Sequence, residues 1–196
     1  FNFNKYSITF SNSIITMPFN KSNFIIPKTV VNTKMNSIKI RSMKIIIFSF
    51  FIILLDQISK LSVLLSLGFD RSKNIIPNLL SFTLVKNKGA AFSLFSDSTT
   101  LLTITSIIAS YLLVFIILKF PPRSFWNSIA IAYLLGGTVG NGIDRLFKGY
   151  VLDFIELVPI NFPIFNVADI SINIAIICFL IDIISTKNEL RKTFNN

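Results

Sequence analysis

Few residues of this chain could carry out acid or base chemistry. It has no histidine and one cysteine, Cys178, which excludes a histidine-assisted nucleophile, a histidine metal site and a disulfide within the chain. The chemistry must then use carboxylates, amides, hydroxyls, Lys or Arg. The carboxylates are Asp56, Asp70, Asp97, Asp144, Asp153, Glu156, Asp169, Asp182 and Glu189. Any catalytic acid is expected among these nine residues.

Asp153 and Asp169 flank the segment ELVPINFPIF, whose two prolines predict that the chain turns back. A hairpin of neighbouring helices would bring both carboxylates to one membrane depth. Two close carboxylates in a low-dielectric site share a proton, so one can activate water while the other protonates a carbonyl. An equally good interpretation of Asp169 is helix capping, since it follows Asn166 by three residues in NVAD.

Several other residues are expected to have structural roles. Asn141, Asp144 and Arg145 lie near the end of an apolar stretch, where an internal network of charges and amides is expected. Asp56 and Lys60 have the i, i+4 spacing of a favourable helical ion pair. Two small residues four apart, Gly136 and Gly140, would allow close helix packing, and Cys178 is expected to pack as a small apolar residue.

The elements that must position these residues are apolar. Hydrophobic residues make up 52% of the 196, and charged residues only 14%, which is typical of a membrane protein. Crossing the hydrocarbon core takes about 20 apolar residues. Four stretches qualify, at roughly 45 to 67, 100 to 120, 124 to 146 and 166 to 186. If they alternate in direction, their polar clusters fall on one side of the membrane.

Basic residues predict which side that is. They precede the first stretch, bracket the turn KFPPRS and follow the fourth stretch, so both termini are expected in the cytoplasm and the polar clusters at the extracytoplasmic face. The net charge of +10 owes much to the acid-free first 42 residues, so it suits a membrane protein better than a nucleic-acid-binding one. Between the first two stretches, the run from Leu80 to Val85 predicts a strand of a small surface sheet.

Residues 1 to 42 show no sustained period and predict a poorly ordered extension before a membrane domain at 43–187 and a cytoplasmic tail at 188–196. Met35 and Met43 are alternative starts, so the reading frame could begin at either of them. A targeting segment is the other interpretation, because the stretch is acid-free and contains Lys and Ser. A chain starting at Met43 is expected to insert into the membrane and to keep the activity of the full chain.

Four blocks in order carry a family resemblance: DQISK at 56 to 60, NKGAAFSLF at 87 to 95, GNGIDRLFKGYVLDF at 140 to 154, and FNVADISI at 165 to 172. In these blocks, which with their spacing cover residues 43 to 186, the sequence resembles the lipoprotein signal peptidases, also called signal peptidase II. The resemblance implies an all-α bacterial inner-membrane aspartyl endopeptidase with four transmembrane helices and a small extracytoplasmic β element between helices one and two. Its substrates would be prolipoproteins, cut just before a cysteine that carries diacylglycerol.

The resemblance also implies roles for particular residues. It makes Asp153 and Asp169 the catalytic pair. The positions that it implies for substrate binding or support of this pair are Asn87, Gly89, Ala91, Asn141, Asp144, Arg145, Asn166, Asp56 and Lys60. No metal or other cofactor is expected, and the partners would be lipid-modified prolipoproteins and membrane lipid, with no nucleic acid.

Two interpretations compete with the peptidase. A small transporter or proton relay would also place Asp, Lys and Arg inside a membrane, but it would distribute them through the membrane depth. A non-catalytic membrane scaffold is the other alternative. The clustering of carboxylates at one face favours the peptidase.

Overall fold

The computed structural model describes residues 8–10, 13–15, 28–89, 98–160 and 162–194, and for 8–10, 13–15, 28–34 and 189–194 it describes the backbone alone. The chain forms two compact units, Phe1–Ser37 and Ile38–Asn196, whose boundary falls within the first helix. The first unit contains two short strands, β1 (Ile8–Phe10) and β2 (Ser13–Ile15), which pair antiparallel.

The second unit holds long helices and one sheet. Helix α1 (Lys28–Leu67) starts in the first unit and is followed by strands β3 (Ser72–Ile76) and β4 (Leu80–Asn87). Helices α2 (Thr99–Lys119) and α3 (Phe125–Lys148) come next, then strand β5 (Val151–Leu157) and helix α4 (Val167–Phe194). The four apolar stretches predicted from the sequence are therefore all helical.

Two helices extend beyond the limits predicted for the membrane domain. Helix α1 begins at Lys28, and the two short strands precede it, so secondary structure is present within residues 1 to 42 where the sequence showed no sustained period. Helix α4 continues to Phe194, through most of the predicted tail. The assignment of 43–187 as the membrane domain stays a prediction.

Among the described residues, two helices are long and apolar enough to cross a membrane, Thr99–Lys119 and Val167–Asn188. Helix α2 exposes apolar side chains along its length, including Ile104, Ile108 and Leu112, and buries few. An apolar exterior of this kind suits a lipid environment, because lipid tails do not penalise exposed hydrocarbon.

The sheet has the antiparallel order β3-β4-β5. The strand predicted at Leu80 to Val85 is confirmed as part of β4, but its partner β5 comes from the connection between α3 and α4, so the sheet is not confined to the segment between the first two helices. Val63 of α1 packs under it with Leu84, Leu152 and Phe154 in one buried cluster. This cluster fixes the sheet to the end of α1.

Close packing at glycines brings three helices together. A Cβ atom on Gly136 would lie 2.6 Å from Ile52 of α1, and one on Gly137 would lie 2.5 Å from the carbonyl oxygen of Ala168 in α4. A Cβ on Gly140 would meet the Asp56 carboxylate at 2.7 Å. The predicted small-residue pair Gly136 and Gly140 is therefore confirmed as a packing feature, and it brings α1 against the polar end of α3.

Candidate active site

Asp153 lies in the middle of β5, where it pairs with Val85 of β4. Its side chain is buried and accepts two hydrogen bonds, from Asn87 Nδ2 at 2.8 Å and from Asn166 Nδ2 at 2.6 Å. Asn87 reaches Asp153 because it ends β4 opposite Val151, two residues along the neighbouring strand. The family resemblance implied a substrate-side position for Asn87, and the structure places this side chain on Asp153 itself.

Asp169 lies in the first turn of α4 and forms a reciprocal cap with Asn166, the residue just before that helix. The backbone N–H of Asp169 donates to Asn166 Oδ1 at 3.0 Å, and the backbone N–H of Asn166 donates to Asp169 Oδ2 at 3.2 Å. The helix-capping interpretation of Asp169 is therefore confirmed. The second carboxylate oxygen, Oδ1, accepts a hydrogen bond from Asn141 Nδ2 at 2.8 Å.

Asn166 connects the two carboxylates. It caps α4 through its side-chain oxygen, while its Nδ2 donates to Asp153 and, at 3.0 Å, to Asn141 Oδ1. Capping and a paired-carboxylate site are thus compatible, because one asparagine takes part in both. The structure brings Asp153, Asp169, Asn141 and Asn166 into one hydrogen-bonded cluster.

The ionisation of Asp153 is set by its surroundings. Burial, and after it the nearby negative charge of Asp169, raises the pKa of Asp153 from its ordinary value of 3.8 to about 7. Hydrogen bonds from Asn87 and Asn166 and the charge of Lys60 act in the opposite direction. At neutral pH this carboxyl group therefore exchanges between its protonated and ionised forms, which is the property that a general acid or base requires.

A buried lysine supports the cluster from behind. Lys60 Nζ lies 2.8 Å from Asp56 Oδ2 and 2.9 Å from Asp144 Oδ2, and it donates to Asn141 Oδ1 at 2.9 Å. The predicted Asp56–Lys60 ion pair is confirmed. Because the lysine has two carboxylates and an amide oxygen as partners, its burial leaves no uncompensated charge.

Asp144 and Asp56 tie this ion cluster to the elements of the site. Asp144 Oδ2 accepts the backbone N–H of Leu152 at 3.2 Å, which fixes β5 one residue before Asp153. Asp56 Oδ1 accepts the backbone N–H of Ala168 at 2.9 Å, one residue before Asp169. Asp144 therefore holds the backbone of β5 beside Asp153, and Asp56 holds the first turn of α4 beside Asp169.

Arg145 does not form an ion pair with Asp144, whose ion-pair partners are Lys60 and Lys148. Its Nη2 donates to the carbonyl oxygen of Gly89 at 3.3 Å. The negative charges of Asp169 and Asp153 attract its guanidinium group. Its Nε is buried and has no hydrogen-bond partner within the described part of the chain. The Gly89 amide in turn donates to Asn87 Oδ1 at 2.9 Å. Ala91, the other loop residue predicted for the site, lies outside the described residues.

Two participants were absent from the predicted site residues. Lys148 bonds Asp144 Oδ1 at 2.8 Å, and the i, i+4 spacing of these two residues could have identified it. Gln57 donates to Asp56 Oδ2 and to the carbonyl oxygen of Gly140, both at 3.1 Å, and only its place beside Asp56 pointed to it.

No group of three acidic, His or Cys side chains within the described ranges could hold a metal ion. The carboxylate oxygens of Asp153 and Asp169 are instead engaged by amide and backbone donors. The chemistry that this arrangement supports is proton transfer between two carboxyl groups and a bound water.

Comparison with known proteins agrees with this geometry. Residues 48–185 match the family model described as signal peptidase (SPase) II. A lipoprotein signal peptidase of Parasynechococcus marenigrum is 46% identical over 140 residues, which cover 71% of this chain and 88% of that protein. One of Streptococcus agalactiae is 39% identical over 141 residues, covering 72% and 92% of the respective chains.

A solved structure is also similar. It is described as a bacterial membrane enzyme at 2.3 Å resolution, and it superposes with a TM-score of 0.69 at 32% sequence identity, over 74% of this chain and 90% of its own. The family match spans α1 from residue 48 to most of α4, and so includes every residue of the cluster around Asp153 and Asp169. The chain belongs to the signal peptidase II family.

Proposed function

We propose that this chain is a membrane aspartic endopeptidase that removes signal peptides from prolipoproteins, cutting before a diacylglyceryl-modified cysteine. The observation that carries the proposal is the bridge formed by Asn166, which bonds Asp153 through its side chain and caps the helix turn that holds Asp169. The names of the relatives, lipoprotein signal peptidases, support the choice of substrate.

Hydrolysis would use one proton shared by Asp153 and Asp169. The ionised carboxylate removes a proton from a bound water, and the resulting hydroxide attacks the scissile carbonyl carbon while the protonated carboxyl group donates to the carbonyl oxygen. The carboxyl group that took the proton from water then donates it to the amide nitrogen, while the other carboxylate removes a proton from a hydroxyl group of the tetrahedral intermediate, and the C–N bond breaks. The pKa of about 7 for Asp153 supports this mechanism, because either protonation state is accessible at neutral pH.

The membrane would position the substrate. Diacylglyceryl chains remain in the bilayer, where each buried methylene contributes about 0.8 kcal/mol, so the scissile bond beside the modified cysteine stays at a fixed depth. We propose that all four long helices cross the bilayer, with both termini in the cytoplasm and the site at the extracytoplasmic face. The buried charges of α1 and α3 are compatible with this because they pair with each other.

The transporter and scaffold alternatives find less support. A relay would need titratable groups distributed along a path, whereas Asp56, Asp144, Asp153 and Asp169 are joined through Lys60, Asn141 and Asn166 in one cluster. A scaffold would not require a carboxyl group buried with a pKa near neutrality beside a second carboxylate.

The test is cleavage of a purified prolipoprotein by the purified chain in lipid. Two substrates are compared, one with diacylglycerol on its cysteine and one identical but unmodified, and mass spectrometry locates the cut. We expect cleavage of the modified substrate directly before the cysteine. Equal cleavage of both substrates would contradict the lipid-dependent specificity, and no cleavage of either would contradict the peptidase proposal. An Asp153→Asn sample controls for contaminating proteases.

A further inference from the structure

Asn173 is an exposed amide on the apolar part of α4. It lies within Val167–Asn188, the part of this helix that is long and apolar enough to cross a membrane. An amide among lipid tails costs free energy unless its polar atoms are hydrogen-bonded, because hydrocarbon offers no partner. The neighbouring exposed side chains on this side of α4 are hydrocarbon: Ile170, Ile176 and Leu180.

The helix itself satisfies only part of this amide. Asn173 Nδ2 donates to the backbone carbonyl oxygen of Asp169 at 3.0 Å, and this is the one hydrogen bond of the side chain to the described residues. Because a carbonyl oxygen can only accept, the atom that faces it is the nitrogen. Asn173 Oδ1 is therefore left as an acceptor for a donor from outside the described chain.

Hydroxyl side chains elsewhere in the helices do not have this excess of polar atoms. Ser62, Thr105 and Ser106 each donate their only hydrogen to a carbonyl oxygen three or four residues earlier in the same helix. A hydroxyl bonded in this way has no unused donor, whereas an asparagine amide keeps a second N–H and a carbonyl oxygen. Asn173 is thus more polar than its own helix can satisfy.

The position of Asn173 relates it to the candidate active site. Residues 169 and 173 are four apart, so they lie on one face of α4, about 6 Å apart along the helix axis. In the proposed topology α4 begins at the extracytoplasmic face with Val167, so Asn173 lies deeper in the membrane than Asp169 by that distance. Any chain that descends along this face from Asp169 meets Asn173 first.

We propose that Asn173 binds the backbone of the signal peptide just before the cleaved bond, with its Oδ1 accepting a peptide N–H. This inference rests on the proposed peptidase function. The apolar segment of a signal peptide precedes the cut and lies in the bilayer, so the residues before the cut lie deeper than the carbonyl group that is attacked. An extended peptide advances about 3.3 Å per residue, so a depth of about 6 Å corresponds to the N–H of the second residue before the cut.

A backbone scan of the substrate tests this contact. Diacylglyceryl-modified prolipoprotein peptides are made in which the N–H of one of the four residues before the cut is replaced by an ester oxygen. Cleavage is measured with the full chain in lipid nanodiscs, and binding is measured with its Asp153→Asn variant. Asn173→Leu removes the amide at nearly constant volume. Thr105→Val is the matched control, because it removes an exposed polar group that bonds its own helix, α2.

We expect the ester at the second residue to lower kcat/KM of the unaltered chain about 10-fold, chiefly through KM, with smaller effects at the other three positions. Asn173→Leu should lose about the same factor with the all-amide substrate and nothing more with that ester, because either change removes the same hydrogen bond. Binding to the Asp153→Asn chain should show the same pattern, and Thr105→Val should behave like the unaltered chain.

Equal loss from this ester in the unaltered and Asn173→Leu chains would overturn the proposal. A loss confined to kcat in Asn173→Leu would overturn it as well, because the amide would then act on Asp169 rather than on the substrate. If thermal unfolding shows that Asn173→Leu does not fold, Asn173→Ser replaces it, since a hydroxyl can bond the same carbonyl oxygen. Binding with the expected pattern but no cleavage by the unaltered chain contradicts the proposed function alone, and cleavage without the pattern contradicts this inference alone.

Discussion

Asn166 is the residue on which both halves of the candidate site depend. Its oxygen accepts the Asp169 amide, which fixes the orientation of the side chain, and its Nδ2 is then directed to Asp153 and Asn141. An amide can do this because it is donor and acceptor at once, and an ionised carboxylate at position 166 would repel both neighbours. One local cap therefore sets the geometry of a pair of residues that are distant along the chain.

Replacing either aspartate by its amide should abolish cleavage. Asp153→Asn and Asp169→Asn keep shape and hydrogen-bonding capacity but cannot exchange a proton, so we expect turnover to fall by at least about 100-fold while the protein stays folded. Asp182→Asn is the control, because Asp182 bonds Ser124, about 25 Å along α3 from Asn141. Near-normal turnover in either test variant, normalised to folded protein, would rule out the assignment.

The pH dependence of cleavage should be bell-shaped, because the proposed mechanism needs one proton on the pair. Activity should decline above about pH 7, where Asp153 ionises beside Asp169. The hydrogen bond from Asn87 favours the ionised form of Asp153, so Asn87→Ala should move this decline to higher pH. A pH–rate profile of that variant that is unchanged or moved to lower pH would contradict the role given to Asp153.

The same pKa predicts how stability depends on pH. Because the folded-state pKa of Asp153 is raised above 3.8, the folded chain binds more protons than the unfolded chain between about pH 4 and 7, and stability is lost as pH rises through that window. Asp153→Asn should weaken this loss, which thermal unfolding at several pH values would measure.

At the scale of elements, the polar ends of α1, α3 and α4 are joined by ion pairs and glycine contacts. Lys60 of α1 pairs with Asp144 of α3, and Asp56 of α1 accepts the first-turn amide of Ala168 in α4. Gly137 and Gly140 keep the helices close enough for these bonds. The helices are therefore positioned by the same residues whose charges would otherwise oppose burial.

Asp144→Asn should affect stability before chemistry. It leaves Lys60 buried with one carboxylate partner, and breaking a buried pair in this way costs about 3 to 5 kcal/mol. Lys148→Ala is the matched control, because its ion pair with the same carboxylate is 34% exposed on the lysine side and should contribute about 1 kcal/mol or less. Thermal unfolding in detergent compares the two variants. Equal, small losses would show that Asp144 is not a structural centre of the bundle.

At the scale of the whole molecule, the contacts of Arg41 and Ser42 bear on where the membrane domain begins. The sequence predicts residues 1 to 42 to be dispensable, with a start at Met43. In the structure, however, Ser42 is buried and donates to the carbonyl oxygen of Ile117 at 2.6 Å, and Arg41 donates to that of Pro122 at 3.3 Å. A start at Met43 would remove both hydrogen bonds.

A chain starting at Met35 should insert and cleave like the full chain, whereas one starting at Met43 should be less stable by about 1 kcal/mol for each lost hydrogen bond. Cleavage and thermal unfolding of the two shortened chains and the full chain provide the comparison. Loss of cleavage by the Met35 chain despite normal insertion would show that the first 34 residues are required.

The sequence by itself determined the features that depend on local spacing. The lengths of the apolar runs predicted the helices, the i, i+4 spacing predicted the Asp56–Lys60 pair, and the Asn166 to Asp169 spacing predicted the cap. Cys178 is buried, as its place in an apolar stretch predicted. These predictions succeed because residues within one turn of a helix are neighbours whatever the rest of the chain does.

Only the tertiary structure decided which distant residues meet. Lys60 and Asn141 are 81 positions apart, and Asn87 and Asp153 are 66 apart. Nothing in the sequence around Asp144 selects Lys60 rather than the adjacent Arg145, and VLDFIEL did not predict a strand because its pairing partner β4 lies far earlier in the chain. Such contacts depend on how helices and strands pack, because each local pattern is compatible with several partners until the fold brings one of them within bonding distance.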